Sequence, residues 1–579
     1  MRYLWGVIVA LMLATPVSAQ LGHSDYLREL GTVQPIGEPR IKEIKSAQSE
    51  AKDAVLFLDK VHPEDAPFIK VFTTYAVPDE LREKTVLQLS YVIHSLVGVN
   101  PRGSAGAYYP LAKMEDGKFV PVQKVPGSDT LWYIDVRNYN WTIRAWEQIM
   151  KEDPYFVEPA VDSDVSAALR LLSGNSLARA DWFVRAATDA QLQADAQIPF
   201  TVYETLLYAN LRRPPKNLAE FRKVWGVNYD FANRVGARSG ALVTESGRVA
   251  RNNRILEYYN SSFGWYYETW DVFNMRGLRD YMEAFPSYIA GRKIPRDGGE
   301  AFASNGLNLQ VYVLYAGNNN GNNPNGSEAL ANTADAGLAR HMGDVINDAR
   351  VNNARSCFDC HSNGPIRAQN AIAEFGGRIL FPTKELALKA DREFLSDKFD
   401  DDVKANQGRF AAAVKKVNGL EPGENQSQFL EVIRWYNKGV DINQAAKELG
   451  LSVDTLRLKL REVDILPGRL ALLLQNNSST IPRDIWDSPG KDGVPGIYQQ
   501  ALIAVHGLTV VETDKEEVIR KTFITPTISV KLQKKGHNTV HIKAGTQLEY
   551  IRELEHLGHD WIEVKHNNET FFILRDEWK

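Results

Sequence analysis

The sequence predicts a multidomain protein that is mainly α-helical with α+β parts and that ends in a small β-barrel. The chain has 579 residues, whereas a single domain usually takes about 150. Before residue 470, most segments place apolar residues at helical spacing. Residues 505–579 instead alternate apolar and polar residues between glycine and Asn-Asn turns, which is typical of short strands. We therefore expect several largely helical units followed by one strand-rich unit.

The composition is that of an ordinary soluble protein with a large core. Hydrophobic residues make up 44% of the chain and charged residues 24%, and the formal net charge is -4. The mean hydropathy is -0.33. These values exclude a disordered chain and give no overall attraction to nucleic acid or anionic lipid. After the N-terminal segment no run reaches about 18 apolar residues, so we expect no membrane span in the mature chain and no nucleic-acid partner.

The first nineteen residues have the plan of a secretory signal peptide. Arg2 supplies the positive charge, the run YLWGVIVALMLATPV is apolar, and the small residues VSA precede Gln20. The alternative is an uncleaved anchor. We predict that residues 1–19 are removed and that the mature protein begins at Gln20, in the periplasm or another exported compartment.

Residues 20–300 are predicted to form two domains. Residues 20–165 contain two helical patterns, KEIKSAQSEAKDAVLFLDKV and VLQLSYVIHSLVGVNP, before the alternating strand LWYIDVRNYNW, which predicts an α+β domain. His94 lies in the second helical pattern, where core packing is the expected role. Residues 166–300 are rich in aromatic residues, and segments such as ARADWFVRAA, YETLLYANLRR and RNNRILEYY predict a helical domain.

Three further segments complete the predicted organisation. Residues 301–425 begin with a predicted hairpin, EAFASNGLNLQVYVLYAG, which leads into the low-complexity loop NNNGNNPNGS. Residues 426–470 contain KGVDINQAAKELGLSVDTLRLKLRE, which imitates a DNA-binding helix-turn-helix. In an exported acidic protein we predict a helical packing module instead. Residues 505–579, with strands such as TVHIKAG and DWIEVKH, are predicted to form the barrel.

Both cysteines of the chain lie within the segment SCFDCHSNG. Cys357, Cys360 and His361 form a Cys-x-x-Cys-His motif, which is the spacing of a c-type haem attachment site. Two thiols three residues apart lie on one side of a helical turn, where each can bond to one vinyl group of the same porphyrin. The imidazole of the next residue can then bind the iron. We therefore predict one covalent haem c in the segment 301–425, with His361 as the proximal iron ligand.

Three other kinds of site share part of this pattern. A structural zinc site needs four ligands, and no second cysteine pair is present. A thioredoxin-like pair expects a βαβ context, and a disulfide across three residues closes too short a loop to stabilise the fold much. The adjacent histidine and the export signal favour haem over all three.

The second axial ligand of the iron is left open by the sequence. All seven methionines precede Cys357, so a downstream methionine ligand is excluded. The upstream candidates lie in two segments of the chain: His341 with Met342, and Met275 with Met282. If none of them binds, the iron is five-coordinate and open to small molecules.

Several collinear segments resemble a family of large, exported, single-haem c-type cytochromes, which are mostly uncharacterised bacterial proteins. The similar segments span roughly residues 80–460 and are LWYIDVRNYNW, EDPYF, ARADWFV, RNNRILEYY, DGGEAFASNGLNLQVYVL, NNARSCFDCHSNGPIR and KGVDINQAAKELGLS. The resemblance implies haem c at the motif and adds no substrate. This chain departs from the family by inserting the Asn/Gly loop, which leaves the ligand assignment around His341 open. The C-terminal strands resemble a bacterial SH3-like module, which implies contact with the cell envelope.

Two functions follow as expectations. The first is electron transfer, in which the haem exchanges electrons with a redox partner protein or a small-molecule donor or acceptor. Arg355 and Arg367 are candidate partners for the haem propionates. The second is a haem enzyme or a gas or redox sensor with an open distal iron site, resembling a peroxidase or oxidase. The sequence thus leaves enzyme activity undecided.

Overall fold

A computed structural model gives the fold of the chain. The contacts between Cα atoms separate Met1–Thr509 from Val510–Lys579 as two compact units, and each is described by itself. In the first unit the described residues are 47–62, 64–99, 114–115, 118–155, 177–190, 201–211, 213–243, 254–271, 285–291, 298–317, 328–331, 351–367, 370–371, 379–463, 466–476, 478–488 and 496–506. In the second unit they are the six strands given below. The predicted signal peptide, residues 1–19, lies outside the described residues.

Residues 47–186 form a small mixed sheet with helices beside it. In chain order the elements are α1 (Ala47–Leu58), β1 (Ile69–Thr73), α2 (Asp79–Ser95), β2 (Met114–Glu115), β3 (Lys118–Phe119), β4 (Gln123–Lys124), β5 (Leu131–Asp135), α3 (Ile143–Glu152), β6 (Leu177–Arg179) and α4 (Ala180–Ala186). The sheet order is β4-β5-β1-β6, in which β1 pairs antiparallel with β5 and parallel with β6. The two predicted helices are confirmed over their described residues, and His94 is fully buried in α2. The predicted strand LWYIDVRNYNW is confirmed only over Leu131–Asp135, because a 3-10 helix follows at Val136–Tyr139.

The centre of the first unit is a six-stranded antiparallel sheet. Its strands are β7 (Arg238–Val243), β8 (Arg254–Ser261), β9 (Gly264–Asp271), β10 (Gly298–Ser304), β11 (Gln310–Ala316) and β12 (Leu330–Ala331). They lie in the order β12-β11-β10-β9-β8-β7, so each strand pairs with its neighbour in sequence. The predicted hairpin is confirmed as β10 and β11.

The prediction that RNNRILEYY is helical is wrong. From Arg254 onward this segment lies in β8, which forms a hairpin with β9 and places Tyr259 opposite Tyr266. Nearly every residue of β9 is buried, because both faces of the sheet are covered. A strand buried on both faces has no alternation of apolar and polar residues, which is the pattern that identifies strands in a sequence. The remaining sequence signal for strands was the content of β-branched and aromatic residues, since such residues pack well on a pleated sheet.

Helices pack on the central sheet and complete one core. They are α5 (Val202–Leu207), α6 (Leu218–Val224), α7 (Tyr229–Val235), α8 (Arg355–His361), α9 (Lys384–Ala390), α10 (Lys398–Asn418) and α11 (Pro422–Asn437). One continuous cluster of buried residues runs from Phe72 to Tyr436 and includes side chains from α2, the central sheet, α8 and α11. The ranges predicted as separate domains, 20–165, 166–300 and 301–425, therefore share this cluster. Their boundaries stay predictions.

The helix-turn-helix pattern folds as predicted into two short helices. They are α12 (Ile442–Glu448) and α13 (Val453–Arg461), followed by α14 (Leu472–Gln475), α15 (Arg483–Trp486) and α16 (Ile497–His506). Asp441 and Ser452 cap the first two helices by accepting hydrogen bonds from backbone N–H groups. Gly450, with φ 67°, supplies the left-handed residue of the turn. These helices bury a second cluster that extends from Val440 to Val505, beyond the predicted range 426–470.

The second unit is described by its strands alone. They are β13 (Thr522–Ile524), β14 (Val530–Gln533), β15 (Thr539–Ile542), β16 (Leu548–His556), β17 (His559–His566) and β18 (Glu569–Leu574). They form one antiparallel sheet in the order β13-β16-β17-β18-β14-β15. Within these six strands no pairing joins the two edges, β13 and β15, so barrel closure stays a prediction.

Among the described helices, none combines the length and the apolar character that crossing a bilayer requires.

Candidate cofactor-attachment site

The motif helix α8 begins at a strained turn. Ala354 has φ 56° and ψ -49°, and the Arg355 N–H donates a 2.6 Å hydrogen bond to the carbonyl oxygen of Asn353. This is the geometry of a γ-turn, which is rare for a residue with a side chain and is kept only where the surroundings hold it. Strained backbone of this kind concentrates at functional sites.

Two asparagine residues hold the start of α8 in place. The side-chain oxygen of Asn353 accepts a 3.0 Å hydrogen bond from the Leu314 N–H on β11. The Asn352 N–H donates to the Ser356 hydroxyl oxygen at 2.9 Å. The segment before the cysteines is therefore tied to the central sheet, and this supports the turn at Ala354.

The two thiols and the imidazole lie on one side of α8. Cys357 and Cys360 are three residues apart, and His361 is four residues from Cys357, so the helical repeat places them side by side. Neither cysteine forms a disulfide. Cys357 is buried, which raises the pKa of its thiol well above the usual value, and the nearby Glu300 carboxylate adds to this effect. The Cys357 side chain is therefore a neutral thiol, unlike the thiolate that a redox-active pair needs.

His361 is fixed against two aromatic residues of the central sheet. Its ring stacks on Phe302 with centroids 5.4 Å apart and an interplanar angle of 30°. Tyr312 lies 6.1 Å away on the neighbouring strand and faces Phe302 across the β10–β11 pairing. Burial lowers the pKa of the imidazole, against a smaller opposing effect of Glu300. The ring is therefore neutral near pH 7, which is the form that binds metal ions.

Phe358, between the two cysteines, anchors α8 to the core. Its fully buried ring contacts four aromatic rings with centroids 5.0 to 6.4 Å away: Tyr91, Tyr203, Tyr312 and Phe429. Successive residues of a helix are about 100° apart around its axis. Because Phe358 is held in the core, Cys360 lies on roughly the opposite side of the helix, where it is partly exposed.

Helix α11 satisfies the backbone at the end of α8. The Asn425 side-chain amide donates to the Ser362 carbonyl oxygen at 2.9 Å, and the Gln426 amide donates to the Cys360 carbonyl oxygen at 3.1 Å. These carbonyl groups have no partner inside the helix. Gly364 follows with φ 100°, and a Cβ atom at this position would lie 2.7 Å from the Phe410 ring. The motif segment SCFDCHSNG thus needs glycine at its end.

The residues of the site fit a covalently held haem. The chain offers two thiols three residues apart, a neutral imidazole whose buried Nδ1 has no hydrogen-bond partner among the described residues, and an aromatic wall of Phe302 and Tyr312. Thioether bonds use thiols, iron accepts neutral imidazole, and an apolar surround suits a porphyrin disc. Across the described residues, no group of three or more His, Cys, Asp or Glu side chains is arranged to hold a metal ion.

The other site residues expected from the sequence fall in two groups. Arg367 is largely exposed and pairs with Asp400 at 2.7 Å, while Arg355 lies 3.8 Å from Asp189, so each guanidinium already faces a carboxylate. Their roles toward propionates stay predictions. The candidate axial ligands lie outside the described residues: His341, Met342, Met275 and Met282.

Sequence reasoning missed the residues that position the motif. Phe302 and Tyr312 come from the β10–β11 hairpin, and Asn425 and Gln426 come from a helix more than sixty residues downstream. The one sequence signal for these residues was the predicted hairpin, in which Phe302 and Tyr312 occupy paired positions on neighbouring strands.

Comparisons with protein-family models, with curated proteins and with solved structures find no match for this chain. The resemblance to large single-haem cytochromes therefore stays a prediction that rests on the residues themselves.

Proposed function

We propose that this protein is an exported c-type cytochrome that carries one covalent haem and acts in electron transfer. Cys357 and Cys360 hold the haem through thioether bonds, and His361 is the proximal iron ligand. The observation that carries the proposal is the placement of two thiols and a neutral imidazole side by side on α8. The bound haem supplies reversible one-electron oxidation and reduction.

The chain's own residues hold and orient this ligand set. Phe302 and Tyr312 limit rotation of the His361 ring, and Phe358 fixes the rotation of α8 about its axis. The hydrogen bonds from Asn425 and Gln426 hold the end of the helix that carries the imidazole. A site supported in this way keeps its geometry when the charge of its cofactor changes. This property suits electron transfer.

The predicted export signal and the C-terminal strands support a location in the cell envelope. We infer that the mature protein is periplasmic or otherwise exported, and that a redox partner protein or a small-molecule donor or acceptor exchanges electrons with it. The strands β13–β18 belong to an SH3-like barrel in this proposal, and the barrel contacts the envelope. Their antiparallel pairing is compatible with such a module.

One observation favours a second candidate function. No methionine follows Cys357 in the sequence, so a haem held at this motif would have no downstream methionine to bind its iron. A five-coordinate iron would make the protein a haem enzyme or a gas or redox sensor.

The covalent bond is tested first, in a host that exports the protein and attaches haem to Cys-x-x-Cys-His motifs. After denaturing electrophoresis, we expect the wild-type band to keep haem peroxidase staining and the double variant Cys357→Ser, Cys360→Ser to lose it. Asn363→Ser, an exposed change two residues after the histidine, is the matched control and keeps the stain. A wild-type band without stain would overturn the proposal.

The absorption spectrum then separates the two functions. A low-spin spectrum that carbon monoxide leaves unchanged after reduction supports electron transfer. A high-spin spectrum that shifts with carbon monoxide supports the enzyme or sensor.

A further inference from the structure

A surface pocket lies away from the haem motif, where α11 ends and α12 begins. Its volume is about 210 Å³, and Trp435, Lys438, Asp441, Lys447 and Arg483 are among the residues that line it. We refer to it as the α11–α12 pocket. A protein cavity of about 150 Å³ is known to take up one benzene molecule. The pocket therefore has room for a single ring with one small substituent.

The charges lining the pocket are mainly positive. Three cations, Lys438, Lys447 and Arg483, face one carboxylate, Asp441. The Asp441 side chain caps α12 by accepting a 2.8 Å hydrogen bond from the Gln444 N–H. The Arg483 guanidinium donates to the buried Glu448 at 2.9 Å, so its charge is balanced from inside the protein. The two lysine ammonium groups supply the excess charge.

Lys447 is the ammonium group best placed to hold an anion. Its Nζ donates a 3.0 Å hydrogen bond to the Val77 carbonyl oxygen, and within the described residues it has no ion pair with a carboxylate. Burial lowers its pKa, because the charged form loses water. Asp79, Glu80 and Asp181 oppose this effect from a distance, but none of them forms an ion pair with Lys447. An anion that binds directly beside this partly desolvated ammonium therefore stabilises it further.

The pocket is pre-formed on its inner side. Arg483 donates through Nε to the Tyr436 carbonyl oxygen at 3.0 Å, in addition to its bond with Glu448. The Gln444 side-chain amide donates to the Ala76 carbonyl oxygen at 3.3 Å, which ties α12 to the turn before α2. Trp435 is partly buried at the end of α11 and offers a flat apolar surface. A pre-formed pocket with an aromatic wall and a few fixed polar groups can set the orientation of a small ligand.

We propose that the α11–α12 pocket binds a small aromatic carboxylate. Lys447 and Lys438 pair with the carboxylate, and Trp435 contacts the ring. This binding is independent of haem, so it stands or falls separately from the proposed electron transfer.

The test uses the full-length protein, benzoate as the probe and benzamide as its neutral counterpart. Isothermal titration calorimetry is expected to give a Kd of about 1 mM for benzoate, in the range of a small fragment, and no measurable binding of benzamide. Lys447→Met keeps an apolar side chain of similar length and removes the charge. We expect it to weaken benzoate binding at least about tenfold, which corresponds to the loss of a charge-assisted contact.

Two further variants keep the test decisive. Lys438→Met changes an exposed side chain, so the variant folds, and it is expected to weaken binding about threefold. Lys459→Met, in the last turn of α13 and outside the pocket, is the matched control and leaves the Kd unchanged. Equal binding of benzamide, no binding of benzoate, or a Kd insensitive to both pocket lysines would overturn the proposal.

Discussion

Two buried junctions of the first unit join distant segments by opposite means. In the aromatic junction, Phe358 of α8 packs among rings from α2, α5, β11 and α11. In the ionic junction, Glu448 at the end of α12 pairs with Arg179 at 2.8 Å and with Arg483 at 2.9 Å. Trp486 also donates to Glu448, at 2.8 Å.

The difference concerns what each junction tolerates. Aromatic packing depends little on direction apart from the ring geometry. When one ring is replaced by a smaller side chain, part of the contact area is lost, and no buried charge is left without a partner. A buried carboxylate between two guanidinium groups is balanced only while all partners are present. The aromatic junction therefore surrounds Phe358 of α8 with uncharged rings, whereas the ionic junction fixes one arrangement of α12 on the core.

Breaking the ionic junction should have the largest effect on stability. Glu448→Gln leaves Arg179 and Arg483 buried without their shared counter-charge, and we expect a loss of about 3–5 kcal/mol in the free energy of unfolding. Urea denaturation followed by tryptophan fluorescence measures it, since Trp486 lies in the junction. A loss below about 1 kcal/mol would contradict the buried pairing.

Breaking the aromatic junction should cost less. Phe358→Leu keeps an apolar side chain but loses ring contacts, and we expect a loss of about 2 kcal/mol. Phe231→Leu is the matched control, because Phe231 is 48% exposed on α7, and it should change the stability by less than about 0.5 kcal/mol. If both variants lost the same stability in urea denaturation, Phe358 would not be an anchor.

The two junctions also differ in how far the sequence predicted them. The motif was readable because Cys357, Cys360 and His361 are neighbours in the chain, and local spacing is what a sequence shows directly. Their supports were not readable, since Phe302 and Asn425 meet α8 only after the chain has folded. The helices before and after the central sheet followed from periodicity, whereas β8 and β9 did not, because burial on both faces removed their alternation.

The sequence did not predict the ionic junction, for a different reason. In the sequence, Glu448 is an ordinary charge in an amphipathic helix, and such charges usually face water. It is fully buried only because Arg179, 269 residues earlier, and Arg483, 35 residues later, arrive at the same place. Neither separation corresponds to a helical or strand repeat, so no local pattern could reveal the pairing.

The pH dependence of stability should sharpen the comparison, because carboxyl groups adjoin the ionic junction. Burial raises the pKa of Asp153 to about 7, against Arg179, which lowers it, and with Asp487 and Asp181, which raise it. The folded state therefore holds a proton that the unfolded state releases above about pH 4. Asp153 alone should therefore make the free energy of unfolding fall by about 1 kcal/mol per pH unit as the pH rises from 5 to 7.

Asp153→Asn should remove this contribution and make the pH dependence of stability shallower by about 1 kcal/mol per pH unit. Asp487, whose pKa burial raises to about 6, keeps its own share in the variant. Glu448 acts in the opposite sense. Burial alone would raise its pKa, but Arg179 and Arg483 lower it to about 2, so its contribution is lost only as the pH falls below about 4.

Urea denaturation at pH 5, 6 and 7 measures how the free energy of unfolding changes with pH, with the exposed Asp230→Asn as control. Equal slopes in Asp153→Asn and the wild type would show that Asp153 does not titrate in this range.

The smallest effect is expected where an ion pair faces water. Lys84 of α2 and Glu431 of α11 pair at 2.7 Å, with side chains 34% and 46% exposed. Glu431→Gln should lower the free energy of unfolding by less than about 1 kcal/mol, because solvent screens the charges and two long side chains lose freedom in forming the pair.

The loss in Glu431→Gln should vanish in 1 M salt, where the screening length is about 3 Å. The same salt should leave most of the loss in Glu448→Gln, since water and ions do not reach the buried carboxylate. A Glu431→Gln loss as large and as salt-resistant as that of Glu448→Gln would mean that burial does not set the strength of these ion pairs.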